Sequence, residues 1–147
     1  MTIYRERLWA SAWVFLAAAL VIPASLLVFL PINVLAGIIV AIVLYLGCCA
    51  ILVLASPVIT VSESTLVAGR ARVPLPFAGT ASAHRGQDAT AQRGVELDAR
   101  AWLLIRGWIE PVVKLEITDP ADPVPYWLLS TRHPEELIAA IEKAKSS

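Results

Sequence analysis

The stretch that decides the fold covers residues 8–55 and reads "LWASAWVFLAAALVIPASLLVFLPINVLAGIIVAIVLYLGCCAILVLA". It contains no Asp, Glu, Lys, Arg or His, and the first charged residue after Arg7 is Glu63. Because a charge at the centre of a bilayer costs several kcal/mol, such a run is typical of a membrane segment. A spanning helix needs about 20 apolar residues, so the stretch predicts two spans joined by a turn.

The turn between the two spans is "LPIN" at residues 30–33. Proline breaks a helix and asparagine tolerates turn geometry. We therefore predict a transmembrane hairpin domain over residues 1–56, with helices at about 8–29 and 32–55. A cleaved signal peptide is disfavoured, because the apolar stretch is longer than a signal core and a second span follows at once.

Arginines flank the predicted hairpin on both sides. Arg5 and Arg7 precede the first helix, Arg70 and Arg72 follow the second, and the short loop between the helices has no basic residue. Basic residues remain on the cytoplasmic side of a membrane. We therefore expect a multi-pass protein of the cell (inner or plasma) membrane with both termini in the cytoplasm.

Two further features of the hairpin concern its surface. Trp9 and Trp13 lie one helical turn apart near the expected inner interface, where indole rings prefer to sit. Gly37 and Ala41 form a small-xxx-small step that lets two helices approach closely. That step serves either packing within the hairpin or association between two copies.

The remainder of the chain, residues 57–147, has the alternating pattern of strands. The clearest case is "VVKLEIT" at residues 112–118, whose odd-numbered positions are apolar and whose even-numbered positions after the first are polar. About seven such strands precede one helix at about residues 134–145. This order predicts a cytoplasmic antiparallel β domain, namely a pleckstrin-homology-like barrel with a C-terminal helix, and a plain α+β sandwich is the alternative. Residues 85–98 form a short helix or a loop.

A proline-rich corner, "TDPADPVPYWLLSTRHPEEL" at residues 118–137, stands out from the rest. Its Asp and Pro residues have turn chemistry, and the next residues form a strand. Pro134 suits the first position of a helix, where Glu135 complements the positive end of the helix dipole. Tyr126 and Trp127 point to opposite faces of the strand, so we expect one ring in the core and the other at the surface.

Three stretches resemble an actinobacterial family of small membrane proteins, the domain-of-unknown-function family 3093. They are "YRERL" at residues 4–8, "EITDPADPVPYWLLSTR" at residues 116–132, and "RHPEEL" at residues 132–137. The order of an N-terminal motif, two spans and a C-terminal motif also matches. The resemblance implies an integral membrane protein with a cytoplasmic domain, and it implies no activity.

The composition argues against several function classes. The formal net charge is zero, whereas nucleic-acid-binding domains usually carry a large basic excess. The adjacent Cys48 and Cys49 lack the spacing of a zinc site or a redox pair, and no phosphate loop or hydrolase motif occurs. We predict no catalytic, cofactor-binding or metal-binding residue, since the side chains available for catalysis sit at a turn or a strand end: Asp119, Asp122, Ser130, Thr131 and His133.

These features favour a non-enzymatic membrane protein without a cofactor, working as an interaction or scaffold module or as an accessory subunit of an envelope complex. Its partners are the lipid bilayer and either another membrane protein or a second copy of the chain. The alternatives are a sensor of anionic lipids that uses an arginine-rich face and, less favoured, an oligomeric transport component. The candidate headgroup or partner contacts are Arg5, Arg7, Trp9, Trp13, Arg70, Arg72, Arg106, Trp108 and Arg132.

Overall fold

The computed structural model describes residues 1–147 and divides into two compact units. The β unit comprises Met1–Leu8 together with Pro57–Ser147, and the helical unit comprises Trp9–Ser56. The first eight residues therefore belong to the β unit and not to the hairpin, where we placed them from the sequence. The reason is that Thr2–Arg7 forms a strand, β1, which pairs with the strand that follows the hairpin.

The helical unit contains three helices, α1 at Ala12–Ala18, α2 at Val21–Phe29 and α3 at Val34–Leu54. Its two apolar segments, Ala12–Phe29 and Val34–Leu54, have mean hydropathies of 2.4 and 2.9. Both are long and apolar enough to cross a membrane by length and composition. Most of their large apolar side chains are exposed, as expected for helices that lipid surrounds.

Proline and asparagine explain the helix ends. Pro23 has no N–H group for the carbonyl of Ala19 and its ring crowds that carbonyl, so the first apolar segment is interrupted between α1 and α2. The Asn33 side chain accepts hydrogen bonds from the N–H groups of Leu35 and Ala36 at 2.9 and 3.2 Å. Asn33 is thus the N-cap of α3, and the helix begins two residues later than predicted.

The strands of the β unit form two four-stranded sheets. The first sheet is antiparallel in the order β1-β2-β3-β4, with β2 at Val58–Ser62, β3 at Thr65–Ala68 and β4 at Ala71–Pro74. The second sheet has the order β5-β7-β8-β6, with β5 at Ala78–His84, β6 at Trp102–Leu104, β7 at Val112–Ile117 and β8 at Tyr126–Ser130. A short 3₁₀ turn, Leu75–Phe77, joins the sheets, and two helices complete the unit, α4 at Gly86–Arg93 and α5 at Pro134–Lys145.

The two sheets are not closed into one barrel, because the hydrogen-bonded strand pairs lie within each sheet. The second sheet is also mixed and not purely antiparallel, since β6 pairs with β8 in parallel. This parallel pair arises because β7 and β8 form an antiparallel hairpin and β6 joins the far side of β8. Seven strands follow residue 57, and the C-terminal helix runs from Pro134 to Lys145.

The main core lies between the sheets and α5, which packs against β1, β2, β5 and β7. Helix α5 contributes an apolar stripe at helical spacing. The fully buried large side chains of this core include Leu8, Ile59, Leu66, Leu115, Leu129, Leu137 and Ile141.

A second, smaller core covers the other face of β8. It consists of Ala89, Val112, Tyr126 and Leu128, and it places α4 on the second sheet. Every residue of β8 is therefore buried. The expectation that only one ring of the Tyr126-Trp127 pair lies in the core is wrong. Trp127 lies in the main core, and the smaller core buries Tyr126 on the opposite face of β8.

Candidate functional site

The N-terminal strand and the start of the C-terminal helix meet at the Glu6 carboxylate. The Thr131 hydroxyl donates a hydrogen bond to Glu6 Oε2 at 2.5 Å, and the Arg132 N–H donates to Glu6 Oε1 at 2.9 Å. The Tyr4 hydroxyl donates to Glu6 Oε2 at 2.9 Å. Two stretches that resemble the family, at opposite ends of the chain, are thus joined by one side chain. We call Tyr4, Glu6, Thr131 and Arg132 the terminal clasp.

Two groups of the clasp, the Tyr4 phenol and the Thr131 hydroxyl, are held by burial and by hydrogen bonds. Burial raises the pKa of the Tyr4 phenol far above its usual range, and the hydrogen bond from Thr131 acts in the opposite direction. Tyr4 is therefore a permanent hydrogen-bond donor near neutral pH. Thr131, which is fully buried, also accepts the His133 N–H at 3.1 Å and so orders the first turn of α5.

The outer face of the first sheet carries arginines in a defined register. Across the four strands the paired positions are Arg5, Thr60, Val67 and Arg72. Paired residues lie on the same face of a sheet, so a row of two neutral side chains separates Arg5 from Arg72 by roughly 14 Å at a strand spacing of about 4.8 Å. Arg70 lies in the turn between β3 and β4. We call Arg5, Arg70 and Arg72, with Thr60 and Val67 between them, the basic face.

The other predicted arginines have different positions. Arg7 shares the outer face of β1 by alternation but is half-buried. The backbone N–H of Arg106 donates to the buried Ser130 hydroxyl at 3.0 Å, and Arg132 belongs to the terminal clasp. Of the six predicted arginines, Arg5, Arg7, Arg70 and Arg72 therefore lie on the first sheet.

The three predicted tryptophans belong to different units of the protein. Trp9 and Trp13 belong to the helical unit, where their exposed fractions are 46% and 61%. Trp108 is half-buried and packs against the main core of the β unit. Its ring thus covers the core, which is the more common role of a tryptophan in such a loop.

Gly37 and Ala41 are buried within the helical hairpin. A Cβ atom on Gly37 would lie 3.0 Å from Phe29 Cβ and 3.6 Å from a Leu26 methyl group. The absent side chain thus allows α3 to approach α2 closely. The contact lies within one chain.

The residues that we weighed for catalysis near the proline-rich corner are not brought together. The Ser130 hydroxyl accepts the Arg106 N–H, while the exposed His133 ring lies 3.8 Å from the Glu136 carboxylate. Asp119 accepts the N–H of Ala121 and Asp122 accepts that of Val124, each at 2.9 Å. Both acids therefore have the turn role predicted for them.

A hydrogen-bonded chain that the sequence analysis missed lies on β5. His84 Nε2 is 2.9 Å from the Ser82 hydroxyl, and His84 Nδ1 is 2.6 Å from the Asp88 carboxylate. This is the order of groups in a Ser–His–Asp triad. Lys114 pairs with Ser82 across β5 and β7, and these residues line a pocket of about 200 Å³ together with Thr80 and Glu116.

Two features of the hydrogen-bonded series Ser82–His84–Asp88 disfavour nucleophilic catalysis. The Asp88 side chain is 59% exposed, so water competes with His84 for the carboxylate. Ser82 lies within a strand, where successive N–H groups point to opposite edges and cannot converge on one oxyanion. The chain instead links β5 to α4, beside a second link in which Arg93 donates to the Glu110 carbonyl at 2.6 Å.

An exposed ion pair further connects α4 and α5 at their starts. Arg85 donates to both oxygens of the Glu135 carboxylate, at 2.9 and 2.6 Å. Hydrogen bonding from Arg85 lowers the pKa of Glu135, and the carboxylate raises the pKa of Arg85. Across residues 1–147, no group of three or more His, Cys, Asp or Glu side chains is placed to hold a metal ion.

The comparisons with known proteins give one family and no individual relative. A family model described as "Protein of unknown function (DUF3093)" matches residues 3–141. Neither the curated proteins nor the solved structures contain a match to the chain. The matched region covers both unit boundaries and all four residues of the terminal clasp.

Proposed function

The chain belongs to the DUF3093 family of proteins of unknown function, and on this premise we propose that it is a membrane-anchored, non-enzymatic interaction module. It acts as a scaffold or accessory subunit within an assembly of the cell envelope. The family supplies no activity to carry over, so the proposal rests on the geometry of the β unit. The observation that carries it is the insertion of two apolar helical segments between β1 and β2.

This insertion supports a shared side of the membrane for both termini. Strand β1 precedes the two apolar segments and pairs with β2, which follows them. Paired strands must lie in the same compartment, so the chain crosses the membrane an even number of times. The arginines on both sides of the hairpin favour the cytoplasm. Activity outside the cell of a reporter fused after Ser147 would contradict this orientation.

The architecture of the β unit supports a folded recognition domain. Helix α5 packs against strands of both sheets, as the terminal helix does in a pleckstrin-homology-like domain. We propose that the β unit is a domain of this type. The helical anchor confines the unit to the membrane plane. Confinement raises its effective concentration toward other membrane proteins without requiring any further contact.

An interaction module is expected to have a stoichiometric partner. After cross-linking in native membranes and extraction in mild detergent, we expect the full chain to elute as a defined hetero-complex or homo-oligomer. The matched control is the same chain extracted without cross-linking, which reports the stability of the complex. A chain that elutes as a lone monomer under both conditions would contradict the proposal.

The hydrogen-bonded series Ser82–His84–Asp88 allows a test of the proposal that the protein is not an enzyme. An activated serine reacts with fluorophosphonate probes, and we expect the full chain to remain unlabelled under conditions that label a serine hydrolase. Ser82→Ala and heat-denatured samples are the controls for background labelling. Labelling of the native chain that disappears with Ser82→Ala would replace the proposal with a serine hydrolase.

A further inference from the structure

We propose that the basic face binds the anionic headgroups of the membrane in which the chain is anchored. This inference rests on the proposed function, because it requires the β unit to be held at a membrane. It also identifies the ligand of the β unit as the phosphate groups at the lipid–water interface.

The register gives the face its composition. Arg5 and Arg72 lie on the two edge strands of the sheet, and Thr60 and Val67 lie between them on β2 and β3. The middle of the row has small, partly exposed side chains, and nothing long enough to shield the guanidinium groups. Long arginine side chains at the two edges can therefore reach a flat surface at the same time.

The charges of the face are not neutralised within the chain. Arg5, Arg70 and Arg72 are exposed and form no ion pair with a carboxylate. By contrast, Arg85 pairs with Glu135 and Arg100 pairs with Asp98. The outward positions of the four strands contain no acid. A chain with equal numbers of basic and acidic residues thus has one face that is purely basic.

The position of the face along the chain favours lipid as the ligand. The Leu8 N–H donates to the Pro57 carbonyl at 2.9 Å, where the chain leaves the β unit and returns to it. The turn at Gly69 and Arg70 lies at this end of the sheet, because the Gly69 N–H donates to the Val58 carbonyl at 3.0 Å. Basic residues beside membrane spans are attracted by the negative potential of anionic lipids, which decays within a Debye length.

The test uses the full chain reconstituted in vesicles, with Cys48→Ala and Cys49→Ala and a fluorophore attached at Val67→Cys in the centre of the face. Quenching by lipids that carry a spin label in the headgroup reports docking of the face on the bilayer. We expect little quenching in phosphatidylcholine vesicles. Strong quenching is expected when phosphatidylglycerol replaces one lipid in three, and it should decline as salt is added.

A matched pair of variants separates this face from general charge attraction. Each arginine near the surface contributes about a five-fold factor in binding, so Arg5→Gln with Arg72→Gln should lower the docking equilibrium by about 25-fold. The control, Arg100→Gln with Lys143→Gln, removes the same charge from exposed positions elsewhere and should leave docking unchanged.

Three outcomes overturn the inference. Equal quenching in both vesicles, or equal losses in both double variants, would show that the basic face does not bind anionic lipid. Quenching that changes only when an acidic peptide is added would assign the face to a protein ligand. Failure of the chain to insert, or an unfolded β unit by circular dichroism, would instead contradict the proposed function.

Discussion

A protein consisting only of Pro57–Ser147 is expected to remain unfolded, whereas the same segment preceded by Met1–Leu8 and a short linker is expected to fold. Without the N-terminal residues the first sheet loses an edge strand, the main core loses the fully buried Leu8, and the Thr131 hydroxyl loses its carboxylate partner. Burial of one Leu side chain contributes about 1.5–3 kcal/mol. A hydrogen bond to a charged group contributes about 1.5–3 kcal/mol, and whole domains are stable by only about 5–15 kcal/mol.

The structure also defines the linker for this experiment. Leu8 and Pro57 are joined by a backbone hydrogen bond of 2.9 Å, so a few Gly and Ser residues can replace the helical unit. Circular dichroism and the dispersion of amide signals in NMR would distinguish the two proteins. A matched control carries residues 2–7 in scrambled order. Cooperative unfolding of the Pro57–Ser147 segment at the same temperature as the joined protein would show that β1 is dispensable.

Replacing Glu6 by Ala is expected to lower the free energy of unfolding by about 2–4 kcal/mol. The carboxylate accepts hydrogen bonds from three groups, one of which is the hydroxyl of the fully buried Thr131. Its removal leaves a buried donor without its acceptor, and such a donor costs about 1–3 kcal/mol. For a domain of about a hundred residues, the lower bound corresponds to a fall in Tm of roughly 10 °C.

A double-mutant cycle tests whether Glu6 acts through the clasp. Thr131→Val removes the hydroxyl while keeping the shape of the side chain. If the two residues stabilise the fold through their mutual hydrogen bond, the effects of Glu6→Ala and Thr131→Val should be less than additive by about 1 kcal/mol. Glu63→Ala serves as the charge-matched control, because Glu63 is exposed and pairs only with the N-terminal amine at 3.7 Å. If the changes in the free energy of unfolding are strictly additive, Glu6 and Thr131 stabilise the fold independently and not through their mutual hydrogen bond.

Most elements of the fold could be predicted because local chemistry specifies them. The charge-free run identified both apolar segments, and Pro134 with its following acids identified the start of α5. The alternation in residues 112–118 identified β7. Strand β1 was missed because the adjacent spans dominated the interpretation of residues 4–8. Its alternation was nevertheless present, with Tyr4 and Glu6 on one face and two arginines on the other.

The site was harder to predict because it depends on contacts between distant residues. The bond between Glu6 and Thr131 joins opposite ends of the chain, and no local pattern predicts such a pairing. The link between His84 and Asp88 has helical spacing but connects a strand to a helix. The burial of Tyr126 likewise depended on α4, and residues 85–98 had been predicted as either a short helix or a loop. The register of the first sheet, which aligns Arg5 with Arg72, also depends on β1 and was not predicted.

The insertion of the helices between β1 and β2 also determines the order of events during synthesis. Strand β1 leaves the ribosome first, but its partner β2 follows only after residues 9–56. At about 5–20 residues per second, that delay is about 2–10 s, far longer than the microseconds in which a hairpin of adjacent strands forms. The oldest part of the nascent protein must therefore wait without its partner strand, and the β unit can assemble only after both apolar segments have been synthesised.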